Sequence, residues 1–228
     1  MSSVAIITAR GGSKRIPRKN IKEFCGKPII AYSIEAAIGS GIFDEVMVST
    51  DDVEIADIAK AFGAKVPFFR SEKTSNDFAT TADVISEVLD KYEKMGKSFD
   101  YACCVYPTAP FITAQKLKLA MEKLQSEGGD SAMPVVKFSF PPQRCLVIND
   151  GSLEYKWPEN MNKRSQDLEP FYHDCGQYYV FKVSSFRKFG QIVGGKVIPI
   201  ITPDTEVQDI DEMTDWEIAE LKYKILHK

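Results

Sequence analysis

Short β-branched runs alternate with amphipathic segments through the first half of this chain. The runs at 4–8 and 45–49 have the composition of buried strands, whereas 29–38 and 52–62 have apolar side chains at helical spacing. Strands that alternate with helices build βαβ units, and these units form a mainly parallel sheet covered by helices. The chain is therefore predicted to have an α/β fold.

The same patterning predicts where the other elements lie. The helix at 29–38 should end at Gly39 and the helix at 52–62 at Gly63, because glycine accepts the left-handed backbone that closes many helices. The remaining predicted elements are strands at 65–69, 101–106, 177–181 and 196–201, a helix capped by Thr80 or Thr81, a helix from Thr113 to about 126, and a last helix from about Thr214.

The segment 138–174 interrupts this βα rhythm. Apolar runs at 146–149 and 153–157 flank Asp150-Gly151, a dipeptide typical of a two-residue hairpin turn. We interpret the whole chain of 228 residues as a single domain. Within it, 138–174 is a small hairpin insertion that serves as a lid or a dimerisation arm.

Composition and charge exclude several classes of function. Lys and Arg number 29 against 32 Asp and Glu, so no broad basic field is available to hold nucleic acid. No apolar stretch approaches the ~20 residues that span a bilayer, and the N-terminus lacks the features of a secretory signal. Five cysteines without a Cys-x-x-Cys pair argue against a disulfide framework. We therefore expect a cytoplasmic protein with reduced thiols that binds neither nucleic acid nor membrane.

Residues 9–20, here called the basic loop, follow the first strand and have the composition of a phosphate site. Two glycines allow backbone N–H groups to approach an anion, while Arg10, Lys14 and Lys19 can neutralise a triphosphate. Open α/β sheets bind ligands at the carboxyl ends of their strands, which is where this loop begins. It matches neither the Gly-x-Gly-x-x-Gly nor the P-loop spacing, so neither dinucleotide binding nor P-loop hydrolysis is indicated. The alternative is a solvated loop without a ligand.

Asp209 and Asp211 form the candidate metal site. With one residue between them, both carboxylates of an extended segment point to the same side and can bind one hard cation. The chain has only two histidines, so a divalent ion has to be held by oxygen ligands, and Mg²⁺ is the natural candidate. The alternative is that these aspartates serve a turn and a cap before the last helix.

Several motifs resemble one family of enzymes. The run Arg10-Gly-Gly-Ser-Lys-x-Ile-Pro-x-Lys19-Asn20 is similar to the opening signature of the CMP-sialic acid synthetase (acylneuraminate cytidylyltransferase) family, which activates acidic eight- and nine-carbon sugars. Further matches follow in order along the chain: Ser49-Thr-Asp51, Arg70, Tyr106-Pro-Thr-Ala-Pro110, Gly176-Gln-Tyr-Tyr179 and Gln208-Asp-Ile-Asp211. These forms are most similar to the branch of the family that acts on pseudaminic acid.

The resemblance implies a Rossmann-like, three-layer nucleotidyltransferase fold and the transfer of CMP from CTP to the anomeric hydroxyl of a sugar acid, with release of pyrophosphate. It assigns catalytic roles to Arg10, Lys19, Asp209 and Asp211, the last two as ligands of Mg²⁺. The residues that it places at the nucleotide are Ala9, Arg10, Gly11, Lys14, Lys19, Asn20, Arg70 and Thr80. Those that it places at the sugar are Tyr106, Thr108, Asp174, Gln177 and Tyr179. Relatives pair through an insertion of this kind, so the resemblance also implies a homodimer.

The identity of the sugar depends mainly on Tyr106. The sialic acid enzymes have glutamine at this place, so the chain offers an aromatic face and one hydroxyl instead of an amide. Pseudaminic acid has a deoxygenated terminal carbon and two acylamino groups, to which an aromatic wall is suited. N-acetylneuraminic, legionaminic and keto-deoxyoctonic acids are the alternative substrates. A non-catalytic module that only binds CTP is the alternative of another class.

Overall fold

The structure, a computed structural model, describes residues 1–228. Its strands are, in chain order, β1 Ser3–Thr8, β2 Glu23–Phe24, β3 Lys27–Pro28, β4 Glu45–Ser49, β5 Tyr101–Val105, β6 Ser131–Lys137, β7 Leu146–Asn149, β8 Ser152–Tyr155, β9 Tyr172–Asp174, β10 Tyr178–Lys182 and β11 Val197–Ile201. Its helices are α1 Ile29–Ser40, α2 Val53–Ala61, α3 Glu72–Ser75, α4 Thr81–Lys94, α5 Ala114–Ser126, α6 Val183–Phe189 and α7 Met213–Leu226. None of these helices has both the length and the apolar character needed to cross a membrane.

Seven strands form the main sheet, in the order β11-β6-β10-β5-β1-β4, with β9 also paired to β6. β1 runs parallel to β4 and β5, and β11 runs parallel to β6. β10 is antiparallel to both β5 and β6, and β9 is antiparallel to β6. The strands β1, β4, β5, β6 and β11 therefore all point the same way, and the predicted mainly parallel α/β sheet is confirmed.

Side chains alternate across the main sheet and divide the core into two parts. Ala5 and Ile7 of β1 pack in a cluster with residues of α1, α2 and α5, whereas Val4 and Ile6 pack in a second cluster with residues of α4 and α6. Because successive strand residues point to opposite faces, each face of the sheet is covered by its own helices. The result is the expected three-layer arrangement, and α7 packs against β2 and α1 in a separate, aromatic cluster.

Side-chain caps fix where three helices begin. The hydroxyl of Thr80 accepts a hydrogen bond from the N–H of Asp83 at the start of α4, and the Asp83 carboxylate accepts one in return from the N–H of Thr80. Thr113 caps α5 as predicted, and Asp52 caps α2. Each cap satisfies an N–H group that has no partner inside its helix. Thr80, not Thr81, is the capping residue of α4.

One helix end and one strand differ from the sequence prediction. α1 continues through Gly39 to Ser40, and it is Gly41, with a φ of 63°, that closes the helix. The predicted strand at 65–69 is wrong, since only Lys65 bridges to β4. Pro67 lies two residues further on and has no N–H with which to extend the ladder.

The central strand β6 was not predicted, because Pro134 interrupts its apolar run. β6 pairs with β10 at Ser131 and Ala132 and with β9 at 135–137. Pro134 therefore lies between two antiparallel stretches, where a missing N–H costs little. This change of partner, from β10 to β9, cannot be read from the local sequence.

The predicted hairpin is present as β7 and β8. Its turn residues Asp150 and Gly151 have φ values of 49° and 79°. Positive φ at both positions is the requirement of a type I′ turn, and it explains the Asp-Gly pair. β9 forms the last three residues of the 138–174 segment and belongs to the main sheet, so the part of this segment outside that sheet is 138–171.

Candidate active site

The basic loop is fastened to the carboxyl ends of β1 and β4. The N–H of Ala9 donates to the carbonyl of Ser49 at 3.0 Å, and the N–H of Gly11 donates to Asp51 Oδ1 at 2.9 Å. A Cβ at Gly11 would lie 2.8 Å from a carboxylate oxygen of Asp52, so the close approach requires glycine. The N–H groups of Ala9 and Gly11, which the sequence places at the nucleotide, are thus bonded within the protein.

A cavity of about 400 Å³, here called the basic cavity, opens between the basic loop and the end of β5. Its lining includes six residues that the sequence assigns to the site: Arg10, Lys14, Lys19, Asn20, Tyr106 and Thr108. Asn20 also links the end of the basic loop to its start, because its side-chain amide donates to the carbonyl of Arg10 at 2.8 Å. Four cationic side chains of this one short loop line the cavity, namely Arg10, Lys14, Arg15 and Lys19, and they make it suited to an anion.

Residues 204–211, here called the acidic segment, bring the predicted metal ligands to the basic loop. Lys19 Nζ donates to the carbonyl of Ile210 at 2.6 Å and lies 4.0 Å from Asp211 Oδ1. Arg15 pairs with the same oxygen of Asp211 at 2.6 Å, a contact that no motif indicated. Burial lowers the pKa of Lys19, and the negative charge of Asp211 opposes this effect. Asp209 is exposed beside them.

Three side chains from other elements hold the acidic segment in place. Lys222 of α7 donates to the carbonyl of Val207 at 2.7 Å, and Lys116 of α5 pairs with Glu206 at 2.6 Å. Gln177, just before β10, donates from Nε2 to the carbonyl of Glu206 at 2.7 Å. Gln177 is 1% exposed and lines neither cavity of the site. The sequence placed this residue at the sugar, whereas its amide faces the acidic segment.

A second cavity of about 260 Å³, here called the side cavity, adjoins the basic cavity at Thr8 and Arg10, which line both. Arg70 lines it and donates to the carbonyl of Ser49 at 2.7 Å, and burial lowers the pKa of its guanidinium. Thr81 lines the side cavity, whereas the hydroxyl of Thr80 lies 2.7 Å from Asp83 and serves the helix cap.

Asp77 links the two cavities. Its Oδ1 accepts from Arg10 at 2.7 Å and its Oδ2 accepts from Lys14 at 2.5 Å, and the hydrogen bonds from Lys14 and Arg10 lower its pKa. The sequence indicated no such contact, because a single aspartate in an irregular loop has no periodic signal. Arg10 and Lys14 together therefore hold one carboxylate in this structure.

Two tyrosines and an aspartate form the wall beside the end of β5. The rings of Tyr106 and Tyr179 meet edge to face with centroids 5.5 Å apart. Tyr179 donates to Asp174 Oδ2 at 2.7 Å, and the hydroxyl of Tyr106 lies 3.3 Å from that of Thr81. Burial raises the pKa of both phenols, so they stay protonated at neutral pH. Three predicted sugar residues, Tyr106, Tyr179 and Asp174, thus form one chain of contacts that extends to Thr81.

Comparison with known proteins identifies the family of this chain. The profile of the cytidylyltransferase family matches residues 4–173. A pseudaminic acid cytidylyltransferase of Campylobacter jejuni is 40% identical over 100% of this chain and 99% of its own length. A CMP-N,N'-diacetyllegionaminic acid synthase of Legionella pneumophila is 35% identical over 96% of this chain and 95% of its own.

The fold has a counterpart among solved structures. A CMP:2-keto-3-deoxy-manno-octonic acid synthetase, solved as a complex with CTP, superposes with a TM-score of 0.71 over 99% of this chain and 100% of its own, at 18% identity. At this level of identity the similarity shows that the two proteins share a fold and nothing further. Together with the family profile and the full-length relatives, it leads to one conclusion: the chain is an enzyme that belongs to the cytidylyltransferase family.

Proposed function

We propose that this enzyme transfers CMP from CTP to the anomeric hydroxyl of a nonulosonic acid, with pseudaminic acid as the preferred acceptor, and releases pyrophosphate. The observation that carries the proposal is the basic cavity, which lies between Arg10, Lys14 and Lys19 on one side and the wall at Tyr106 on the other. The full-length similarity to the Campylobacter jejuni pseudaminic acid enzyme supports this pair of substrates.

In this reaction the protein has to position two anionic substrates, CTP and the sugar acid, and to stabilise the negative charge that develops as the reaction proceeds. The anomeric oxygen attacks the α-phosphorus, the bond to the oxygen that bridges the α- and β-phosphates breaks, and the hydroxyl proton passes to water. Negative charge develops on the departing pyrophosphate, where Arg10, Lys14 and Lys19 stabilise it. In this proposal the phosphates replace the carboxylate of Asp77 at Arg10 and Lys14, and the cytosine occupies the side cavity beside Arg70.

The donor set of the acidic segment fits Mg²⁺. Asp209 and Asp211 offer two carboxylates, and neither this segment nor any other part of the structure assembles three or more His, Cys, Asp or Glu side chains that could hold a metal ion. Mg²⁺ is commonly bound by one or two carboxylates plus substrate phosphates and water, so a third protein ligand is not needed. When bound, the ion would polarise the α-phosphate, while Lys19 and Arg15 keep Asp211 in place.

The sugar is assigned to the wall formed by Tyr106, Tyr179 and Asp174, and to Thr108, which lines the basic cavity with Tyr106. Tyr106 offers an aromatic ring and one hydroxyl, which suits a sugar acid that lacks a terminal hydroxyl group. Both oxygens of the Asp174 carboxylate accept hydrogen bonds within the protein, Oδ2 from the Tyr179 hydroxyl and Oδ1 from the N–H of Gly176. The same reaction on N-acetylneuraminic, legionaminic or keto-deoxyoctonic acid is the competing assignment.

The proposal includes a homodimer in the cytoplasm. The hairpin β7–β8 exposes apolar side chains, among them Ile148 at 75% and Leu153 at 64%, which a second copy would cover. All five cysteines are unpaired in the structure, which is compatible with a reducing compartment. Both statements extend the proposed activity and are tested separately from it.

The decisive experiment measures pyrophosphate release from CTP and Mg²⁺ with pseudaminic, N-acetylneuraminic, legionaminic and keto-deoxyoctonic acids offered in parallel. UTP and ATP serve as nucleotide controls. Turnover that is fastest with CTP and pseudaminic acid is the expected result. Turnover with another of these acids alone would retain the reaction and refute the assignment of the sugar. CTP binding without turnover of any acid would instead favour a non-catalytic CTP-binding module.

A further inference from the structure

Residues 71–79, here called the wall segment, border the side cavity without any backbone–backbone hydrogen bond to the rest of the chain. Backbone bonding to the sheet ends at Arg70, and α4 begins at Thr81. Between them the segment contains only the single turn α3 and the bond from the N–H of Thr74 to the carbonyl of Ser71. Side chains of neighbouring elements must therefore hold the wall segment in position.

Glu87 of α4 accepts hydrogen bonds from two residues of this segment, Ser71 and Thr74. Its Oε1 accepts from the N–H of Ser71 at 2.8 Å, and its Oε2 accepts from the Ser71 hydroxyl at 2.7 Å. The hydroxyl of Thr74, which lines the side cavity, also donates to Oε2. Lys91, one turn further along α4, pairs with Oε1 at 2.5 Å. The Glu87 side chain is only 16% exposed, so water does not replace these contacts easily.

An ionised carboxylate suits this position because both of its oxygens act only as acceptors. Burial alone would raise the pKa of Glu87, but hydrogen bonds from Lys91, Thr74 and Ser71 lower it to about 2. The group therefore stays ionised across the neutral pH range. Ser71 follows Arg70 directly, and the same segment carries Asp77, the partner of Arg10. In the free enzyme a shift of Ser71 would be felt at both cations of the side cavity. In the CTP complex, where the phosphates replace Asp77 at Arg10, it would be felt at Arg70, which precedes Ser71 directly and lines the cavity.

We propose that Glu87 is a positioning residue for the nucleotide: through Ser71 and Thr74 it holds the wall segment against the side cavity, without touching a substrate itself. The inference rests on the proposed function, which assigns the cytosine of CTP to this cavity. Loss of Glu87 should weaken the binding of CTP in the ground state and the transition state alike. Such a loss raises the KM for CTP and leaves kcat unchanged.

The test compares variants of one helix. Glu87→Ala is expected to raise both the KM and the Kd for CTP by about tenfold or more, with kcat and the sugar KM within about twofold. Glu87→Gln should recover most of this loss, because its amide oxygen can accept from the N–H of Ser71 and its NH₂ group can donate to the two hydroxyls. The matched control is Asp90→Ala. Asp90 lies one turn away and pairs with Arg187 at 2.6 Å, outside the wall segment, so CTP binding should not change.

The outcomes separate this inference from the proposed function. If the wild type neither binds CTP nor releases pyrophosphate, the proposed function fails first. If the wild type is active and Glu87→Ala binds CTP equally well, or loses kcat in place of CTP affinity, the role of Glu87 is refuted. If melting curves show that Glu87→Ala is unfolded, the double variant Ser71→Ala with Thr74→Val decides, since it removes both hydroxyl donors and leaves α4 intact. An unchanged CTP affinity in that variant also refutes the role.

Discussion

In the basic loop, the positive charge of Lys19 lies beside the negative charge of Asp211, and both side chains are held by other groups of the protein. Lys19 bonds to the carbonyl of Ile210, and Asp211 pairs with Arg15. Asp209 is different, because its exposed carboxylate has no ion-pair partner in the structure. Of the two predicted metal ligands, Asp209 is thus the one whose substitution breaks no ion pair. We therefore expect its substitution to affect catalysis and to leave the stability of the fold unchanged.

Asp209→Asn should therefore lower kcat for pyrophosphate release by about a hundredfold or more, because it removes a charged oxygen ligand where phosphate charge develops. CTP binding measured without Mg²⁺ should change by less than about threefold, since the cations of the basic loop are intact. Asp204→Asn, at the exposed start of the same segment, is the control and should retain activity. Full activity of Asp209→Asn would exclude the residue as a metal ligand.

Tyr106 provides the residue-scale test of sugar choice. Tyr106→Gln replaces the ring with the amide that the sialic acid enzymes have, so the ratio of kcat/KM for pseudaminic acid to that for N-acetylneuraminic acid should fall by about tenfold. Tyr106→Phe keeps the ring and removes only the hydroxyl near Thr81, and should shift the ratio less. Parallel kinetics with both acids measure the effect. An unchanged ratio in Tyr106→Gln would remove the argument for pseudaminic acid that rests on this residue.

At the scale of elements, strands and helices with a regular apolar pattern could be predicted from the sequence, and elements that depend on a distant partner could not. The pattern of Val4 to Thr8 is local, and so is the Asp150-Gly151 turn; both are present as expected. β6 needs β10 and β9 on either side of Pro134, and 65–69 fails as a strand because of Pro67. The pairing of β6 is non-local and is not visible in its own run, whereas Pro67 lies within 65–69 and is a local signal against a strand there.

Contacts between distant parts of the chain could not be predicted at the site either. The motifs identified Arg10, Lys14 and Lys19, and the fold brings them to one cavity. The resemblance also places the segment 77–81 near the cytosine, but it gave no indication that Asp77 pairs with Arg10 and Lys14 across a long stretch of sequence. A motif records residue types at short spacing, whereas an ion pair between distant loops depends on how the whole sheet brings those loops together.

Helix α4 shows how one element can serve stability and the site with adjacent residues. Thr80 caps the helix, whereas Thr81 lines the side cavity. Thr80→Ala should therefore reduce the free energy of unfolding by about 1 kcal/mol and lower Tm by about 2–4 °C, with little change in the KM for CTP. Thermal melts and CTP kinetics on the same preparation test this. A large rise in the KM for CTP at unchanged Tm would instead support the direct nucleotide contact that the sequence resemblance implies for Thr80.

At the scale of the whole molecule, the hairpin β7–β8 exposes an apolar surface that a second copy of the chain could cover. Ile148 and Leu153 lie directly opposite each other on its two strands, and both are more than half exposed. A two-stranded hairpin is only marginally stable in water by itself, so its apolar face gains from being covered. This hairpin and the main sheet are separate sheets, which leaves the hairpin free to contact a second copy of the chain.

The double variant Ile148→Glu with Leu153→Glu should consequently convert the proposed dimer into a monomer, because it buries two neighbouring, unpaired carboxylates of each hairpin in an apolar interface. Sedimentation or light scattering at matched concentrations measures the mass. Leu221→Glu is the control, since Leu221 is also an exposed leucine, at 62%, but lies on α7. Dissociation caused by Leu221→Glu and not by the hairpin variant would move the interface to α7, and a monomeric wild type would remove the dimer from the proposal while leaving the active site as described.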